Sequence, residues 1–246
     1  MATKVARKSR HASPYGRVPH QTVTAVRRRL LAWMDANARS FFWREPKVHP
    51  FHILVTEILL AKTKAELAAP IALEVLSRYS TPRALSLAKR RDLERLLFPL
   101  GLHRKRSRHL IACATAIVER HAGEVPQHVD ELMQLPYVGR YAANAIACVA
   151  FDQSVPVIDA NVSRIYLRVF SLPQPPERLA AAHDLWSFAA RVLPRTDAKK
   201  FNWAVLDLGG MVCTAKAPRC AECPIATCCD TGKSLARRCR APLRHA

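Results

Sequence analysis

Apolar residues along most of this chain recur every three to four positions, the period of one helix face, and the alternation that marks half-buried strands is scarce. Val23, Val26, Leu30 and Trp33 fall at i, i+3, i+7 and i+10. Residues 22–38 are therefore predicted to form an amphipathic helix with Arg27, Arg28 and Arg29 toward solvent. The same reading predicts helices over 52–62, 65–78, 82–88, 91–98, 104–120, 127–135, 141–150, 160–170, 176–193 and 197–211. Turn signals at Pro70, Pro82, Gly101, Gly123, Pro126, Pro136, Gly139, Pro156, Pro173 and Pro194 punctuate them. Glycine is scarce, at seven residues, and no internal repeat is visible. The expected fold is all-α.

Composition narrows the class. Half of the 246 residues are apolar and 24% are charged, which leaves material for a sizeable core and excludes disorder throughout. No apolar run nears the roughly 20 residues of a membrane helix, and the N-terminus lacks a signal peptide's apolar core. The expectation is a soluble, monomeric protein of the reducing cytoplasm, without membrane contact. Thirty-nine Lys and Arg against 19 Asp and Glu give a net charge of +20, which points to a polyanionic partner. No acid precedes Asp35, and Lys4, Arg7, Lys8, Arg10 and Arg17 make residues 1–20 a basic tail too polar to fold alone. Residues 231–246 read the same way, with Lys233, Arg237, Arg238, Arg240 and Arg244. Arg104, Lys105, Arg106 and Arg108 follow a turn at Gly101 that would face the polyanion.

Four places carry candidate chemistry. Leu135-Pro136-Tyr137-Val138-Gly139-Arg140-Tyr141 is a Pro/Gly-bounded turn between helical patterns, where free amides at a helix start can hold a phosphate. An ordinary helix connection would show the same residues. Eighteen residues after Tyr141, Asp159 opens a helix in Val157-Ile158-Asp159-Ala160-Asn161-Val162. It is placed as an N-cap, and the helix dipole and amide donors there favour a charged carboxylate that could stabilise a cationic sugar. Glu57 is the one acid in an otherwise apolar helix, Phe51 to Leu60. Burial would raise its pKa, although an arginine partner or a solvent-facing position would make it ordinary. Two carboxyl groups in unlike environments can divide acid and base roles. Finally, five of the eight cysteines crowd within 17 residues. Cys213-x6-Cys220-x2-Cys223-x5-Cys229 offers four thiolates, and a zinc ribbon would show two CxxC pairs where this chain has one. The spacing favours a [4Fe–4S] cluster, with Cys228 a spare thiol one residue from Cys229. Lys216 and Arg219 lie in the loop it would brace.

These motifs, in this order, resemble the helix-hairpin-helix DNA glycosylases of the endonuclease III superfamily. The resemblance covers roughly residues 40–230. It includes Trp43-Arg44, Pro50-Phe51, Thr56-Glu57-Ile58-Leu59-Leu60, the hairpin at Leu135 to Tyr141, Asp159 at the family's catalytic aspartate, Phe201-Asn202-Trp203, Asp207-Leu208-Gly209 and the cysteines. It implies a six-helix module around 45–158 and a cluster subdomain of 21–44 with 159–230, flanking a cleft for double-stranded DNA. It also implies a nucleotide flipped into a pocket where Glu57, Asp159 and Tyr141 meet, with Lys62 on the intercalating turn and Tyr137, Val138, Gly139, Arg140, Lys216 and Arg219 as DNA contacts.

Bifunctional members of that family place a lysine where Tyr141 stands, and a phenol cannot form the Schiff base for strand cleavage. The resemblance therefore implies a monofunctional base-excision repair enzyme. The tyrosine, with Thr-Glu-Ile-Leu-Leu and Val-Ile-Asp-Ala-Asn, is similar to the glycosylases that remove thymine, or uracil, opposite guanine. Adenine glycosylases acting on A·G or A·8-oxoguanine usually have glycine at Ala160, a Gln-Gln pair at Ala61-Lys62 and a further C-terminal domain; here the chain ends at Ala246. The family's hairpin usually has glycine at Tyr137. A non-catalytic iron–sulfur protein that only binds DNA is the alternative from another class.

Overall fold

The computed structural model describes residues 15–16, 20–175 and 178–234. Eleven α-helices run through them: α1 His20–Asn37, α2 Pro50–Leu60, α3 Ala65–Arg78, α4 Pro82–Ser86, α5 Arg90–Leu97, α6 His103–Arg120, α7 Val129–Leu132, α8 Arg140–Phe151, α9 Ala160–Phe170, α10 His183–Val192 and α11 Ala198–Met211. Short 3-10 turns join some of them, and no strand occurs among the described residues.

Two hydrophobic cores organise the helices. One is built from Trp43 and α2–α8, with Phe51, Leu54, Leu93, Leu110 and Ile146 fully enclosed. The other joins α1 to α9, α10 and α11 through Leu30, Ile165, Trp186, Phe188 and Phe201, so the first helix packs with the last three. The centre of the first core is α2. Pro50 occupies its first turn, the His49 ring accepts the Phe51 N–H at 3.2 Å, and every side chain from Ile53 to Leu59 is buried. A helix apolar all round has to run through a core, and α2 packs on α3, α6 and α8.

The predicted elements differ from the observed ones mainly at their ends. The predicted 127–135 helix shrinks to the single turn of α7, since Pro136 disfavours helical backbone at Leu135 and the chain leaves through the 135–139 turn. The predicted 176–193 helix starts only at His183; residues 176–177 lie outside the described residues. Most of the two basic tails lies outside them as well. Two described parts of those tails are structured: Tyr15 is buried in the second core, 6.2 Å from Phe188, and Thr231 donates to the Arg168 carbonyl.

Several arginines assigned to solvent or DNA instead hold the fold together. Arg27 reaches the open carbonyls at the end of α10, donating to Val192 at 2.8 Å and Leu193 at 2.9 Å, and Arg29 donates to Pro224. Only Arg28 of that trio is exposed. Arg106, expected beside a DNA-facing turn, is buried and caps α2, donating to Leu59 O at 3.2 Å, Ala61 O at 3.0 Å and Thr63 Oγ1. The periodicity of a helix does not distinguish a solvated arginine from one that satisfies another helix's last carbonyls.

Arg106→Ala removes the donor that holds those carbonyls. It should lower unfolding free energy by about 2–4 kcal/mol, read from denaturant midpoints. Arg106→Lys, which lacks the planar fork, should recover less than half of the loss.

Candidate active site

The approach to Asp159 is an extended run held from the side. Asn202 of α11 is buried, accepting the Val157 N–H at 3.2 Å and donating to Val155 O at 2.9 Å, while Asn144 of α8 donates to Pro156 O at 2.7 Å. The run delivers Asp159 as the N-cap of α9, where Oδ1 accepts the Val162 N–H at 2.7 Å and Oδ2 accepts Asn161 Nδ2 at 3.0 Å. A cap hydrogen bond thus fixes one oxygen and a side-chain amide the other. Gly209 explains how α11 can come so close: a Cβ there would sit 2.7 Å from the Asn161 Cβ.

Glu57 of α2 and Tyr141 of α8 face the same cavity, of about 770 Å³, as Asp159. Glu57 is buried, and desolvation, helped by the Asp159 carboxylate, pushes its pKa from 4.5 up to about 8. Its Oε2 has no protein partner among the described residues. Tyr141 stays a neutral phenol, its pKa driven up by burial and then by Glu57 and Asp159, with Arg44 opposing. Three elements from two cores thus bring together the three residues singled out for the pocket.

The cavity wall contains an ion-pair network invisible in the sequence. Asp207 of α11 is fully buried and takes Arg44 through two bonds, Nη1 to Oδ2 at 2.7 Å and Nη2 to Oδ1 at 2.9 Å, and Arg39 through Nε to Oδ1 at 2.7 Å. Burial pushes the Asp207 pKa up, but the hydrogen bonds and charges of Arg44 and Arg39 win and hold it below the usual value. Arg39 also pairs with Glu66 of α3 at 3.2 Å. Phe41 stacks on Trp43 at 4.4 Å, and the Arg44 guanidinium lies 5.2 Å from the Trp203 ring. Arg39 and Arg44 each lie more than 160 residues from Asp207, so spacing carries no signal of those pairs.

The hairpin residues separate into different environments. Val138 is buried and its N–H is used by Leu135 O at 3.2 Å, which leaves the first amides of α8, from Gly139 onward, without a helix acceptor. Tyr137 adopts left-handed backbone, φ 65°, and its exposed ring stacks on His109 with centroids 3.6 Å apart. The Arg140 guanidinium, half-buried, lies 4.4 Å over Trp186 of α10 and links the two cores. Lys62 is exposed on a left-handed turn at the cavity wall. Lys216 is exposed, whereas Arg219 is taken up by Glu222 and the Met211 carbonyl.

Cys213, Cys220, Cys223 and Cys229 line one small cavity, with no His or carboxylate in its wall. Arg168 donates to Cys213 Sγ at 3.3 Å and the Gly232 N–H to Cys229 Sγ at 3.4 Å, donors that suit negatively charged sulfur. Among the described residues no three His, Cys, Asp or Glu side chains converge on a single-ion site. Cys228 points away, toward Ile225 O at 3.3 Å, and takes no part in the cavity wall. Four sulfurs and no oxygen or nitrogen ligand make a soft donor set of the kind that binds zinc or an iron–sulfur group.

The profile of the HhH-GPD superfamily of base excision DNA repair proteins matches residues 55–191, from inside α2 to the end of α10. The chain belongs to that superfamily. The thymine-DNA glycosylase of Aeropyrum pernix is 36% identical over 84% of this chain and 94% of its own. An adenine DNA glycosylase of Mycobacterium tuberculosis is 37% identical over 86% of this chain and 70% of its own. The structure of a thermostable thymine-DNA glycosylase shares the fold, with a TM-score of 0.80 at 23% identity, over 87% of this chain and 98% of that one. This DNA glycosylase is all-helical, and no described helix is long and apolar enough to cross a membrane.

Two substitutions test the geometry. A folded carboxyl near 8 keeps a proton that the unfolded chain releases above 4.5, so Glu57 costs stability increasingly as pH rises between those values. Glu57→Gln should therefore raise Tm clearly at pH 7.5 and far less at pH 5. Gly209→Ala should lower unfolding free energy by about 1–3 kcal/mol by forcing α9 from α11, and slow base release through displacement of Asn161 and Asp159.

Proposed function

We propose that this DNA glycosylase is monofunctional and hydrolyses the N-glycosidic bond of thymine or uracil opposite guanine in double-stranded DNA. The observation that carries the reading is the shared cavity of Glu57, Asp159 and Tyr141. A glycosidic bond inside the stack is out of reach, so the nucleotide enters this cavity flipped out. Near neutral pH Glu57 holds a proton and donates it, or a hydrogen bond, to the departing base. Asp159, fixed through both oxygens, stabilises the oxocarbenium-like sugar and orients or deprotonates the attacking water. The Tyr141 phenol closes the wall where a lyase needs an amine.

Lys62, the open amides of α8, Tyr137 and Lys216 are the DNA contacts on this reading, and the protein acts as a monomer in a reducing cytoplasm. Cys213, Cys220, Cys223 and Cys229 hold a [4Fe–4S] cluster, which orders the loop carrying Lys216; hydrolysis needs no electron from it. An adenine glycosylase is the second reading, favoured by the mycobacterial relative's identity, equal within a percent to that of the thymine enzyme.

A panel of G·T, G·U, G·A and 8-oxoguanine·A duplexes, assayed with excess enzyme with and without alkali, should show release from G·T and G·U and strand breaks only with alkali. Release of adenine alone would establish the second reading. Asp159→Asn should cut base release by about 10²–10⁴-fold; unchanged release would remove Asp159 from the chemistry. Borohydride should trap no adduct, although Lys62 and Lys64 line the cavity. The rate should fall as pH rises through about 8, where Glu57 loses its proton, and Glu57→Gln should abolish that limb. Anaerobically isolated protein should be brown, and Cys213→Ser should bleach it.

A further inference from the structure

Away from the catalytic cavity, α5, the turn after it and the start of α6 enclose an open groove of about 500 Å³ lined by Arg91, Glu94, Arg95, Phe98, His103 and Arg104. The carboxylates in and beside it are neutralised within α5: Arg90 pairs with Glu94 at 3.1 Å, and Arg95 with the neighbouring Asp92 at 3.0 Å. Arg91 and Arg104 are exposed and, among the described residues, have no ion-pair partner. The groove is thus cationic. It also holds an aromatic surface that the fold does not use: Phe98 is 67% exposed, its ring 5.1 Å from that of His103 and tilted by 48°.

The groove adjoins the catalytic cleft through α6. His103 and Arg104 belong to its first turn, and Arg106, just beyond them, grips the 61–63 turn whose Lys62 lines the catalytic cavity. The groove and the turn carrying Lys62 are thus both anchored on the first two turns of α6. Duplex backbone would be held by cations alone on a flat or convex surface. A concavity of nucleotide size, with an uncovered aromatic face between two free guanidiniums, suits a base that has left the stack and the phosphates beside it.

We propose that this groove binds an unpaired nucleotide of single-stranded DNA continuous with the duplex in the cleft, so that the enzyme favours lesions next to a single-strand/double-strand junction. Phe98 and His103 stack on the base, and Arg91 and Arg104 hold the flanking phosphates. The proposal rests on the glycosylase reading only for the duplex in the cleft.

Affinity is read by fluorescence anisotropy on a short undamaged duplex, blunt or carrying a single-stranded tail of either polarity, with the base-release plateau on the mismatched duplex measured alongside. One tail polarity should tighten binding about tenfold, the scale of one base–aromatic stack. It should also steepen the log–log salt dependence by about 1.4, for two single-strand phosphates. Phe98→Ala and Arg91→Ala should each remove most of the tail's gain and leave blunt-duplex affinity and the plateau unchanged. Equal binding of blunt and tailed duplexes would overturn the proposal, as would a gain that survives in both variants. Equal losses on both substrates would overturn it too, making the groove a duplex contact. DNA affinities that none of these substitutions alters would overturn it in the same way, leaving the groove to an acidic protein. A wild-type plateau of zero on every mismatch would strike the glycosylase reading and leave the tail measurement intact.

Discussion

The constraint around which the candidate cavity is arranged is a desolvated glutamic acid facing an aspartate cap. Placing Glu57 in the all-apolar helix α2 deprives its charge of water, and the nearby Asp159 carboxylate adds repulsion, so the group keeps a proton to about pH 8. Asp159 is not enclosed in the same way; it is secured by the Val162 amide and Asn161. Two chemically similar acids thus sit in unlike environments, one on a helix running through a core and the other at a helix start.

The precision of that pair comes from contacts made far from it in sequence. Asn202 and Asn144 pin the extended run before Asp159, and the glycine at 209 lets α9 and α11 approach at the level of Asn161. Asp207, with Arg39 and Arg44, fixes another part of the cavity wall. A buried ion pair of this kind is weak evidence for net stability because desolvation consumes much of its Coulombic gain. Its four hydrogen bonds specify instead how the segment between α1 and α2 meets α11.

Positive charge, the most conspicuous property of the composition, divides into two populations. Arg27, Arg106, Arg164 and Arg168 satisfy backbone carbonyls, and Arg140 covers Trp186, so these guanidiniums are part of the scaffold. Lys62, Arg91, Arg104 and Lys216 have no ion-pair partner among the described residues and remain exposed. Arginine suits the first role because its planar fork can bridge several carbonyls while staying charged.

Local spacing was enough to establish the all-helical class, most helix positions, the cap at Asp159, the lone acid at Glu57 and the cysteine set. Each is written within a few residues: a period of three to four, an acid ahead of an apolar face, a single charge in an apolar run, thiols close together. Spacing could not distinguish Arg106 from a surface cation, show that Arg140 lies over Trp186, or reveal the Arg39–Asp207–Arg44 network. Those depend on which helix lies against which. Tertiary packing decided them, because whether a charge is solvated, paired or buried is set by neighbours that the chain brings together only on folding.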